Sequence, residues 1–158
     1  MALSTLQPWT FTVAASGLTT SITAYTAGDM LGSELTITGA AATTGGKGVI
    51  TSIEVQNSST NVTGALDLRF FSAASTPAAD NAANSWSDAN SRLQVVGIQV
   101  AAPVASALNS VGFTGNLWLD YTTTSSSSLF LNVICLGAPA VFSAATDLNY
   151  TINGLQWT

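Results

Sequence analysis

Gly48-Val49-Ile50-Thr51-Ser52-Ile53-Glu54-Val55-Gln56 places Val49, Thr51, Ile53 and Val55 on one face of an extended chain and Ser52, Glu54 and Gln56 on the other. Strict alternation of this kind marks a strand with one buried face. The turn cluster Asn57-Ser58-Ser59-Thr60-Asn61 follows, and Leu66, Leu68 and Phe70 then alternate with Asp67, Arg69 and Phe71. The two runs predict a hairpin. Asp67 and Arg69 share its outer face, where an exposed pair contributes about 0.2–1 kcal/mol. From Ser72 to Asn90 neither a helical nor a strand period is present. Ala, Asn, Asp and Ser surround Pro77 and Trp86 there, which predicts a long loop lying over the hairpin as a lid.

Upstream of this centre, Met1 to Gln7 reads as an arm that ends at Pro8, and Trp9, Phe11 and Val13 then alternate with small polar residues in a first strand. Ser21 to Thr26 reads as a weak strand, Gly28-Asp29 as a turn, and Glu34 to Thr38 as a strand burying Leu35 and Ile37. Gly45-Gly46 links this strand to the central one.

Downstream, Leu93 to Val100 is a strand closed by Pro103, and Ala101 to Ser110 is assigned to loop. Phe113 to Tyr121 alternates so that Leu117, Leu119 and Tyr121 turn inward and Trp118 outward. Thr122 to Ser128 reads as a hairpin loop. Leu129 to Leu136 is apolar throughout, as a strand buried on both faces is, and far too short for a membrane span. Asp147 to Asn153 is the last strand, with Leu155 and Trp157 as an apolar tail.

No segment of ten or more residues carries a helical period, so about eight or nine strands form an all-β protein without long helices. An antiparallel β-sandwich of jelly-roll type is the natural form at 158 residues. Residues 1–8 are read as the arm and 9–158 as a single sandwich domain.

Charge is sparse. Lys47, Arg69 and Arg92 are the three basic groups against eight acidic ones, and charged residues make up 7% of the chain where about 25% is usual. Three scattered cations cannot supply the electrostatic attraction that binds a phosphate backbone, which argues against nucleic acid as a partner. A surface so poor in charge fits one covered by neighbouring subunits; its rival is an exposed domain of a secreted protein with a neutral Ser/Thr surface. The first residues carry neither a basic region nor a continuous apolar core, so no signal peptide and no membrane span is expected.

Histidine is absent, which removes the Ser–His and Cys–His nucleophile pairs, and the single cysteine, Cys135, lies in an apolar run as a small core residue would. None of the eight carboxylates stands in a motif that singles it out for glycoside hydrolysis, so no enzymatic activity is expected. Gly45-Gly46-Lys47-Gly48 lacks Walker spacing and leads into a strand. Asp80, Asn81 and Asp88, with Asn84 and Asn90, concentrate oxygen ligands of the kind calcium takes, but not at EF-hand spacing. Turn capping by Asx side chains is the preferred reading there, so no cofactor is expected.

The order Tyr25-Thr26-Ala27-Gly28-Asp29, Gly48-Val49-Ile50-Thr51-Ser52-Ile53, Leu66-Asp67-Leu68-Arg69-Phe70-Phe71 leading to Pro77-Ala78-Ala79-Asp80-Asn81, and finally Gly137-Ala138-Pro139 before Ala145-Thr146-Asp147-Leu148 resembles a group of small tailed-phage virion proteins. The resemblance spans most of the chain. It implies a non-enzymatic virion structural protein on the capsid exterior, a decoration (cement) protein that stabilises the shell. Its partners would be copies of itself, as a trimer, and the major capsid protein. The alternative is a carbohydrate-binding or adhesin domain of a tail or head fibre. The motifs are strand and turn punctuation and carry no functional residue across. Candidate interface residues come from the apolar side chains outside the predicted core: Leu3 and Leu6 in the arm, Trp86 in the long loop and the outward Trp118.

Overall fold

The computed structural model describes residues 5–13, 22–58, 64–102, 104–105, 110–137, 142, 144 and 147–158. Ten strands run along them: β1 Leu6–Val13, β2 Leu35–Ile37, β3 Lys47–Asn57, β4 Leu66–Phe71, β5 Gln94–Val100, β6 Val104–Ala105, β7 Ser110–Thr114, β8 Leu119–Thr122, β9 Leu129–Cys135 and β10 Leu148–Trp157. The one helix among the described residues, α1, is a single turn at Asp88–Ser91, capped by the Ser87 hydroxyl, which accepts from Asn90 N–H.

The strands form two antiparallel sheets. The first has the order β1-β10-β3-β7-β6, with β8 also pairing β3, and the second the order β2-β9-β4-β5. β7 and β8 both lie along the same side of β3, against Ile53–Asn57 and Lys47–Ile50, so they are two halves of one interrupted strand. Counted as one, with the two-residue β6 set aside, they give the strand sequence of a jelly roll: only β4 and β5 are consecutive neighbours, and every other connection crosses between sheets.

Alternation explains how the layers meet. Ile50, Ile53 and Val55 of β3 and Leu148, Tyr150 and Ile152 of β10 face Leu66, Leu68 and Phe70 of β4 and Leu129, Leu131, Val133 and Cys135 of β9 in one buried cluster. β9 is interior to its sheet, as its apolar run predicted.

The predicted hairpin is not formed. β3 and β4 belong to opposite sheets, and β4 pairs with β5 and β9 instead. A period of two says that one face is buried but not against which strand the edge is paired, and the chain leaves one sheet after Asn57 and enters the other at Leu66. Thr122 to Ser128 is likewise a crossover between sheets, fastened where Thr123 N–H donates to Gly46 O and Ala41 N–H to Ser127 O. Residues 22–26 of the weak predicted strand are not extended in a ladder. Residues 28–31 pair instead with the end of β9, through Gly28 N–H to Cys135 O and Leu31 N–H to Val133 O.

The long loop after β4 does act as a cover, but over the outer face of the second sheet. Met30 and Ala82, Asn81 and Met30, and Asn84 and Gly28 are joined by backbone hydrogen bonds. Asp80 Oδ1 accepts from Tyr25 Oη at 2.7 Å and from Gly32 N–H at 2.6 Å, while the Glu34 carboxylate accepts from Ser75 N–H at 3.0 Å and from the Ser75 hydroxyl. Trp86 lies edge-on to the buried Phe71, ring centroids 5.2 Å apart. Asp67 and Arg69 pair on this face as expected, Nε to Oδ2 at 2.7 Å, although Asp67 is nearly buried.

Candidate interaction surface

The second sheet is covered on its outside, and the residues on the outer face of β1, β10 and β3 follow from the register. Thr10, Asn153 and Ser52 lie abreast on it. Asn153 accepts from Thr10 Oγ1 at 2.8 Å and donates to Ser52 Oγ at 3.0 Å, a polar row of the kind that faces solvent.

Towards the C-terminal end of β10 the same face turns apolar. Leu148, Tyr150 and Ile152 point inward at even positions, and Gly154 keeps that phase, so Leu155 and Trp157 point outward. Leu155 stands beside Pro8 and Val49, and Trp157 beside Leu6. What the sequence presents as an apolar tail is the last part of β10, and its reversed phase is the signal that would have revealed the patch.

Two glycines shape this end from inside. Trp9 packs against Gly154 and the hydroxyl end of Tyr121 against Gly48, leaving no room for a Cβ at either position. The two rings meet edge to face at 6.3 Å, and the Tyr121 hydroxyl donates to Ala40 O. Burial pushes the Tyr121 phenol well above the usual tyrosine range, Trp9 opposing this in part; complete burial does the same to Tyr150, with Tyr25 nearby adding to it. An open cleft of about 430 Å³ lies at this end, lined by Lys47, Asp120, Tyr121, Thr122 and Trp157, with Val95 from the facing sheet.

The predicted residues fall into separate places. Leu6, 45% exposed, belongs to the apolar patch, and β1 begins there, within the stretch read as an arm. Trp118, 58% exposed, occupies the break between β7 and β8. There residues 115–118 oppose only Thr51 and Ser52, and Asn116 takes a positive φ of 55°. Such a bulge re-aims a side chain. Trp86 lies on the other side of the sandwich, half-buried on Phe71. Leu3 is outside the described residues. Of the calcium candidates, Asp80 is engaged by Tyr25 and Gly32, Asn81 takes a positive φ of 56°, and Asp88 opens α1. Pro8, Leu155 and Trp157, which the sequence pattern alone does not single out, are brought beside Leu6 by the register of β1 and β10.

Among the described residues β1 is an edge strand of this sheet, which bears on how it can associate. Thr158 N–H donates to Thr5 O, so Thr5 and Thr158 are a hydrogen-bonded pair; by alternation the backbone groups of Leu6, Pro8, Thr10 and Thr12 point away from β10. Pro8 has no N–H to offer, so the outward row of donors is broken in its middle. Proline on an edge strand is a common guard against strand addition.

Compared with known proteins, the chain matches no protein-family profile, and no curated protein matches it.

Proposed function

We propose that the protein is a non-enzymatic virion structural protein, a decoration protein that binds copies of itself and the outside of a phage capsid. The observation that carries this reading is the apolar patch in which the exposed Leu6 and Pro8 adjoin the half-buried Leu155 and Trp157 on a charge-poor sheet face. Apolar side chains gathered on one rigid face favour association with another surface. The jelly roll suits the role, being used in capsid domains, although it is used in lectins as well and does not by itself assign a task.

A cement protein adds buried area across the joints between shell subunits, so rupture must also break its contacts. Quantitative mass spectrometry of purified virions tests the reading. A copy number near that of the major capsid protein is expected, and a few copies per particle would favour the fibre or adhesin alternative.

A further inference from the structure

We infer that the apolar patch on the outer face of β1, β10 and β3 is a self-complementary contact: two copies pack this face against itself about a two-fold axis, Lys47 of each meeting Asp120 of the other. The inference rests on the self-association in the proposed function and names its surface.

The register supplies the argument. Lys47 is opposite Thr122, and Asp120 is opposite Val49, so Lys47 and Asp120 are diagonal neighbours on one face. They do not pair with each other: among the described residues the ion pair present is Arg69–Asp67, on the other sheet. One of only three cations in the chain and an exposed carboxylate thus flank the apolar residues with no partner of their own. A patch with both signs and no net charge repels either a strongly acidic or a strongly basic partner less than it fits its own image. A two-fold axis brings each charge to its opposite, since an isologous contact places residue i against j and j against i.

Shape and edge agree with this. Leu6 is exposed at the rim of the patch, and Trp157 of the same patch also lines the open cleft at this end of the sandwich. Addition of a strand to β1 is obstructed at Pro8, which disfavours association through that edge.

Sedimentation equilibrium of the isolated protein, from low to high micromolar, tests the arrangement. A reversible species of two chains is expected. Lys47→Asp and Asp120→Lys should each weaken it by roughly tenfold or more, and the double variant should recover most of the loss, a rescue that damage to the fold would not give. Circular dichroism of each variant checks that it is folded. A monomer throughout, a trimer, or a double variant no better than either single one would overturn the inference. A folded monomer that still coats capsids would overturn the pairing and leave the decoration reading standing.

Discussion

Trp9 and Gly154 face each other across β1 and β10 with the indole so close to the glycine backbone that an added Cβ would stand 2.3 Å from Trp9 Cζ2 and 2.5 Å from Val49 O. The second contact is backbone, which cannot swing aside. Gly154→Ala should therefore destabilise the protein by about 1–3 kcal/mol, as overpacking does, read as a lower urea midpoint at unchanged slope. Gly39→Ala, which meets nothing within 4 Å but sits at a φ of 72°, should show only the smaller cost of the left-handed backbone.

Tyr121 and Tyr150 keep their protons in the folded state beyond the usual tyrosine range. An unfolded tyrosine ionises near pH 10, so above about that pH the unfolded chain holds fewer protons than the folded one. Stability is fully present below it and falls as pH rises further. Absorbance at 295 nm should show at least two of the three tyrosines ionising only together with unfolding. Smooth titration of all three in the folded protein would contradict their burial.

Trp86 rests on Phe71, and its loss would uncover a buried ring on the outside of the second sheet. Trp86→Ala should lower stability by about 1–3 kcal/mol, less than for a fully buried tryptophan, while self-association of the folded protein stays as it was. Weaker association at unchanged thermal stability would instead make Trp86 the interface anchor expected from its place in a long polar loop.

Pro8→Thr should restore a donor to the outward row of Leu6, Thr10 and Thr12 on β1. The edge then resembles an unguarded template for strand addition. Faster aggregation on mild heating, followed by light scattering, is the expected result, with little change in the secondary structure of the freshly purified protein. Equal aggregation of variant and parent would show that the edge is protected by something other than proline.

Much of the fold was legible because a period of two is a local property. β3, β4, β5, β9 and the start of β10 could be placed from Ile53, Leu68, Val96, Leu131 and Tyr150, each alternating with a more polar neighbour or lying in a doubly apolar run. Partnership was not legible. β3 and β4 look like a hairpin because each carries the same alternation, and in a jelly roll nearly every such neighbour belongs to the opposite sheet. The bulges were missed for a related reason: Phe113 to Tyr121 reads as one strand, and the extra residues at 115–118 become visible only against β3. The apolar patch is half legible. Leu6 stands out in the sequence as an apolar residue outside the predicted core, but Leu155 and Trp157 read as a tail, since their outward phase has meaning only once Gly154 is known to continue the strand.

Whether this jelly roll decorates and reinforces a shell is decided by the rupture temperature of capsids with and without it. Capsids stripped of the protein should release their contents at a lower temperature, and adding it back should raise that temperature with concentration until sites saturate, because a ligand of the intact shell alone stabilises the intact shell. Identical rupture temperatures at saturating protein would exclude a reinforcing role.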